Sequence, residues 1–236
     1  MTVIAVIPAR GGSKALPRKN ILPLAGLPLL AHTIRDARAA KRVDRTIVST
    51  DDAEIAEVAR RSGADVPFVR PAALADDHAA TVPVVRHAID WCAEHGTPAD
   101  EVCCVYATAP FVTAAELRAA HELLSAGIDF VFTAARFHFP PQRGLLVDAN
   151  GLVRPLLPEA IAKRSQDLPP VLHDAGQFYW GTAAAWQRHE LIFCARARAY
   201  ELPAERVQDI DTADDWARAE GLYRRWKERA CASPSA

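Results

Sequence analysis

Near its start the chain runs Val3-Ile4-Ala5-Val6-Ile7-Pro8 and then Ala9-Arg10-Gly11-Gly12-Ser13-Lys14-Ala15-Leu16-Pro17-Arg18-Lys19-Asn20. The first piece is continuously apolar and β-branched, which suits a strand buried within a sheet. The second begins where a doubly wound sheet binds its ligand, just beyond the carboxyl end of that strand. Gly11 and Gly12 allow backbone N–H groups to converge on one anion. Arg10, Lys14, Arg18 and Lys19 add four cations within a short loop, a density suited to a polyphosphate. Neither GxxxxGK[ST] nor GxGxxG can be read here, so the two commonest phosphate loops are excluded.

Working outward, strand and helix patterns alternate. Strands are expected at Arg45 to Thr50, Val66 to Val69, Glu101 to Tyr106, Asp129 to Ala134, Phe178 to Gly181 and around Ala199 to Leu202. Helices are expected after Pro28, after the Asp51-Asp52 cap, and over Thr81 to His95, Thr113 to Ser125 and Thr212 to about Arg229. This βαβ alternation predicts an α/β fold with a doubly wound, mostly parallel sheet covered by helices. Between about 136 and 177, Pro140-Pro141, Asn150-Gly151 and Pro169-Pro170 punctuate short apolar segments, which reads as an insertion carrying a hairpin. The expectation is one domain over residues 1–230 with a frayed tail at 231–236.

The chain has 236 residues, half of them hydrophobic, with 28 basic and 29 acidic side chains and a net charge of −1. Disordered and fibrous classes are excluded. No uniform field recruits nucleic acid or an anionic membrane, so neither is an expected partner. With no leader pattern and no apolar run long enough to span a bilayer, a cytoplasmic protein is expected. Cys92, Cys103, Cys104, Cys194 and Cys231 lack metal-ligand spacing and read as reduced, buried thiols.

Asp209-Ile210-Asp211-Thr212 is the candidate metal segment. In an extended chain, residues two apart share a face, so Asp209 and Asp211 can approach one hard cation while Ile210 faces the core. Mg2+ takes such carboxylates together with substrate phosphates and water. Thr212 then caps the last helix, with Asp214 and Asp215 in its first turn.

Together, Ile7-Pro8-Ala9-Arg10-Gly11-Gly12-Ser13-Lys14 and Pro17-Arg18-Lys19-Asn20 resemble the opening motif of the sugar-acid cytidylyltransferases, the CMP-sialic acid synthetase family. That resemblance implies a nucleotidyltransferase-like Rossmann variant that binds CTP. It assigns the triphosphate to Arg10, Gly11, Gly12, Ser13, Lys14 and Lys19, and places Asn20 near the nucleotide. Arg70-Pro71-Ala72-Ala73-Leu74-Ala75-Asp76-Asp77 resembles the family segment beside the cytosine, which makes Arg70 and Thr81 base-side contacts. Tyr106-Ala107-Thr108-Ala109-Pro110 resembles the family's Gln-Pro-Thr-Ser-Pro; Tyr106 stands where that Gln approaches the sugar, so acceptor contacts should differ from those to plain sialic acid. The family shares the Asp-x-Asp-Thr context of Asp209 and Asp211.

Within the insertion, Pro141-Gln142-Arg143, Arg164-Ser165-Gln166-Asp167-Leu168 and His173 to Trp180 resemble the branch that activates pseudaminic acid. Arg suits bidentate capture of a nonulosonic acid's carboxylate, which implicates Arg143 and Arg164. Gln166, Asp174 and Gln177 then read hydroxyl and acetamido groups; a surface or dimer role is the alternative for each. The resemblance implies a homodimer, with the hairpin used in dimerisation, and a Mg2+-dependent attack of the sugar's anomeric hydroxyl on the α-phosphorus of CTP. Arg10, Lys14, Lys19 and Asp211 are the expected catalytic residues. Activation of sialic or legionaminic acid is the nearest rival, and a non-catalytic nucleotide-binding protein is the rival of another class.

Overall fold

The structure is a computed structural model that describes residues 1–76 and 79–232, the last three as backbone only. Its elements are β1 (Val3–Pro8), a small ribbon of β2 (Pro23–Leu24) and β3 (Leu27–Pro28), α1 (Leu29–Ala39), β4 (Arg45–Ser49), α2 (Ala53–Arg61), α3 (Thr81–Glu94), β5 (Glu101–Val105) and α4 (Ala114–His121). There follow β6 (Phe130–Arg136), a hairpin of β7 (Leu145–Val147) and β8 (Val153–Pro155), α5 (Pro158–Ile161), β9 (Leu172–Thr182), α6 (Ala183–Arg188), β10 (Ala197–Glu201) and α7 (Ala213–Ala232).

The main sheet has six strands in the order β10-β6-β9-β5-β1-β4. β1 pairs in parallel with β4 and β5, and β10 with β6. β9 is antiparallel to both β5 and β6. It can be, because the chain leaves β6 through the insertion and comes back beside it, with no crossover helix to reverse its direction.

Why β1 is apolar throughout follows from its place. Successive side chains of a strand point to opposite faces. Val3, Ala5 and Ile7 pack with Leu30 and Ile34 of α1, Ile55 of α2 and Leu117 of α4. Ile4 and Val6 pack on the other face with Val82, Val85 and Ile89 of α3 and Trp186 of α6. Each Val or Ile so buried contributes about 1.5–3 kcal/mol over leaving it exposed. A third cluster joins Leu24, Leu29 and Phe111 to Ile210 and to Ala219 and Tyr223 of α7.

Several expectations are corrected. Val66 to Val69 is not a strand. Asp65 alone bridges Ile47, donating to Thr46 O and accepting from Val48 N, each at 2.8 Å. Pro67 then has no N–H to extend the ladder. α4 ends at His121 rather than Ser125. β9 starts six residues earlier than the Phe178 expected, at Leu172, so the sheet takes in part of the segment read as insertion. α7 continues through Ala232, past the expected start of the frayed tail, and residues 233–236 lie outside the described ones. Cys92, Cys103 and Cys104 are buried free thiols, as expected, whereas Cys194 is half-buried and the Cys231 side chain lies outside the described ones. Among the described residues, no helix is long and apolar enough to cross a membrane.

Candidate active site

From β1 the chain goes first to β4 on one side, and later to β5 on the other. The loops leaving the carboxyl ends of β1 and β5 therefore diverge and open a crevice. The glycine loop lies at this edge. Gly11 N donates to Asp51 Oδ1 at 2.9 Å, and a Cβ on Gly11 would sit 2.8 Å from Asp52 Oδ2 and 2.9 Å from Asp52 Cβ, so glycine is required there. At Gly12 a Cβ would meet only Arg10 Nη1, at an ordinary 3.7 Å. The two glycines thus differ: one is demanded by close approach and the other is not.

Asn20, buried at 7 % exposure, donates from Nδ2 to Arg10 O at 2.9 Å and braces the loop from behind. Arg10 donates from Nη1 to Gly12 O at 3.3 Å, Ser13 is half-buried, and Lys14 is exposed. Arg18, with φ 59°, turns away to pair with Asp52 and Glu54 at the start of α2. Its hydrogen bond holds the Asp52 carboxyl below the usual carboxylate value. Lys19 Nζ donates to Ile210 O at 2.6 Å and to Asp211 Oδ1 at 2.8 Å, tying the cationic loop to the Asp-x-Asp segment.

That segment has the expected form. Ile210 is fully buried, and Asp209 and Asp211 flank it. The Asp209 carboxyl is pushed up by desolvation and then by repulsion from the charge of Asp211. Such a hard-oxygen pair at the mouth of a cationic loop fits a divalent cation, which would relieve the repulsion. Thr212 accepts from Asp215 N at 3.2 Å, while Asp215 Oδ2 accepts from Thr212 N at 2.9 Å, closing a reciprocal cap on α7.

Arg70 is 4 % exposed. It donates from Nε to Ser49 Oγ at 3.0 Å and from Nη2 to Ser49 O, at the end of β4. Burial pushes its guanidinium down to about 10, and Asp51 opposes the shift. Arg70 therefore secures the strand end from which Asp51 reaches Gly11. Asp77, which closes the motif read around Arg70, lies outside the described residues. Thr81 Oγ1, at the start of α3, is 2.6 Å from Tyr106 OH. Tyr106 in turn donates its backbone N–H to Gln177 O at 2.9 Å and lies 5.4 Å, ring to ring, from Tyr179.

Beyond Tyr106 lies a cavity of about 440 Å³ whose walls include Thr108, Asp174, Gln177, Gln208 and Asp209. Asp174 accepts from Tyr179 OH at 2.7 Å and from Gly176 N at 3.0 Å. The expected sugar contacts Tyr106, Asp174 and Gln177 thus meet one metal candidate, Asp209. Arg143, Arg164 and Gln166 are not in this wall. Arg143 donates to Ser165 Oγ at 3.3 Å, Arg164 pairs with Asp167 at 2.7 Å, and Gln166 lines a separate cavity beside Pro141 and Pro169. Sequence reasoning missed Asp51, Thr108 and Gln208. Asp51 reads as a helix-cap signal, Thr108 stands within the Tyr106 to Pro110 motif without a role of its own, and nothing in the sequence distinguishes Gln208 from an ordinary loop residue.

Comparison with known proteins agrees with this geometry. A family model described as Cytidylyltransferase matches residues 4–229. A pseudaminic acid cytidylyltransferase of Campylobacter jejuni is 40 % identical over 225 residues, covering 95 % of this chain and 97 % of that protein. A CMP-N,N'-diacetyllegionaminic acid synthase of Legionella pneumophila is 32 % identical over 224 residues, covering 94 % and 96 %. Among solved structures, a CMP:2-keto-3-deoxy-manno-octonic acid synthetase complexed with CTP superposes with a TM-score of 0.68 at 17 % identity, covering 96 % of this chain and all of that one, a likeness of fold. The crevice and the full-length match agree, and the chain belongs to the cytidylyltransferase family.

Proposed function

We propose that this enzyme activates pseudaminic acid with CTP, giving CMP-pseudaminic acid and pyrophosphate. The observation that carries the reading is the Lys19 bridge: it holds a polyphosphate-type loop and a paired-carboxylate segment at one sheet edge, beside a polar cavity. In the reaction, the anomeric oxygen bonds to the α-phosphorus, the bond from that phosphorus to the bridging oxygen breaks, and pyrophosphate leaves as the hydroxyl loses its proton.

The chain's part is mainly positioning and electrostatics. Gly12 brings backbone to the phosphates beside Gly11, whose own N–H is held by Asp51 and which shapes the turn; Ser13 donates a hydrogen bond, and Arg10, Lys14 and Lys19 neutralise the departing pyrophosphate. Asn20 keeps that loop in shape, while Arg70 and Thr81 form the base side. Tyr106, Asp174 and Gln177 face the sugar. A divalent cation held by Asp209 and Asp211, in our reading Mg2+, would neutralise the α-phosphate and lower the pKa of the acceptor hydroxyl.

For the insertion we propose a homodimer contact. Leu145, Val147, Leu152 and Val153 of the hairpin are 57–68 % exposed, an apolar surface that a second copy would cover. Arg143 and Arg164, outside this chain's own crevice, would then serve the carboxylate from that second copy. We place the reaction in the cytoplasm, where CTP is made.

The test is pyrophosphate release with CTP and Mg2+, offering pseudaminic, legionaminic and sialic acids in turn. Pseudaminic acid should give the highest kcat/KM. A higher value with legionaminic acid would assign that substrate instead, and CTP binding without release from any acid would mark a non-catalytic binder.

A further inference from the structure

At the sheet edge opposite the crevice, a sulfur, a nitrogen and an oxygen donor come together. β6 runs in the same direction as β1 and in parallel with β10, so the amino ends of β6 and β10 meet away from the glycine loop. Asp129 stands one residue before β6, and His189 and Cys194 lie in the loop from α6 to β10. Each of the three offers one donor atom, and these atoms all lie within 4.8 Å of one another.

The backbone holds this group in place. Asp129 N donates to Arg196 O at 2.8 Å, Arg86 Nη2 donates to His189 O at 3.0 Å, and Cys194 sits in a turn where its N donates to Ile192 O at 2.9 Å and its O accepts from Ala197 N at 3.1 Å. Asp129 is 4 % exposed, and its two oxygens are used differently. Oδ1 faces Arg188 at 3.7 Å and Arg196 at 3.4 Å, whereas Oδ2 meets His189 Nε2 at 2.8 Å. Both arginine side chains are more than half exposed, so solvent screens their charge, and Arg196 is also anchored on Gly127 O at 2.7 Å. These ion pairs account for Asp129 and His189 but not for the thiol beside them.

We propose that Asp129, His189 and Cys194 bind one borderline-soft divalent cation of the Zn2+ type, which clips the loop between α6 and β10 to the start of β6. Thiolate sulfur, imidazole nitrogen and carboxylate oxygen are donors that Zn2+ takes, with a fourth position left for water. Bond lengths of about 2.0–2.3 Å set such donors about 3.3–3.6 Å apart, so side-chain rotation has to close the group by about 1 Å. Cys194 gives its proton to solvent on binding, and thiolate and carboxylate together balance the charge of the ion. Mg2+ prefers an octahedron of oxygens and competes poorly for a thiolate, which separates this site from Asp209 and Asp211 in chemistry as well as in place.

The test uses the full chain, stripped of metal with a chelator and kept reduced, with Co2+ and Zn2+ as the probes. Co2+ should give a thiolate-to-metal charge-transfer band that a single equivalent of Zn2+ abolishes and excess Mg2+ leaves in place. The band should persist in Asp211→Asn and vanish in Cys194→Ser. His189→Gln should weaken Zn2+ binding by at least the roughly 10- to 100-fold that loss of even an outer hydrogen-bond partner costs a metal site. Zn2+ should raise the melting temperature of the wild type and leave that of Cys194→Ser unchanged. A wild type with neither band nor Zn2+-dependent melting shift overturns the proposal. So does a band of undiminished strength in Cys194→Ser shown to be folded by circular dichroism, since another thiol would then hold the probe.

Discussion

At the scale of single residues, the site depends on a few close contacts. Gly11 is required because Asp52 occupies the space a Cβ would need. Lys19 stands on Asp211 at 2.8 Å, so one cation serves both the loop and the carboxylate segment. Asp211→Asn keeps the size of the side chain and an oxygen for Lys19, but removes the charge proposed to hold the metal. Turnover should fall by about 100-fold or more while circular dichroism and melting temperature stay near the wild-type values. Near-normal turnover at saturating Mg2+ would remove Asp211 from the metal site.

At the scale of elements, the N-terminus of α2 makes a pH prediction. Asp52 caps the helix by accepting from Ile55 N at 2.9 Å, and its carboxyl is held low by Arg18. A folded-state carboxyl below its unfolded value adds stability that is present above the unfolded pKa, about 4, and is lost as pH falls through the folded value. Asn caps equally well but carries no charge. Asp52→Asn should therefore cost about 1 kcal/mol at pH 7, and the gap should close as pH is lowered towards 3. Urea titrations of both proteins across that range measure it; a gap independent of pH would assign the cost to capping geometry alone.

At the scale of the whole molecule, the hairpin β7–β8 is an apolar feature that the sheet's own core leaves unburied. Val147 and Leu152 are 66 % and 68 % exposed, beside exposed Leu145 and Val153 in the same hairpin. If two copies meet there, the wild type should scatter light as a dimer, and a Val147→Asp, Leu152→Asp double variant as a folded monomer. A monomeric wild type would end the dimer proposal, and with it the role given to Arg143 and Arg164.

What the sequence by itself determined is local. The apolar run of β1 and the helical periods that follow it carry the doubly wound architecture, because strand and helix patterns depend on near neighbours. The glycine loop's charge, the Asp209/Asp211 face with Ile210 turned inward, and the Thr212 cap were legible for the same reason. Tertiary structure alone decided the direction of β9, because β6 and β9 are joined through the insertion. It failed to make Val66 to Val69 a strand, since Pro67 sits where a ladder N–H was needed. It also sorted the cations: Arg18 went to Asp52 and Glu54, Arg70 to the end of β4, and Lys19 to Asp211, 192 positions away. Finally, it placed Asp174 and Gln177 in the crevice wall but not Arg143, Arg164 or Gln166. Charge and hydrogen-bonding capacity can be read from a residue's identity, but its partner is set by which distant segments the core brings to the same edge of the sheet.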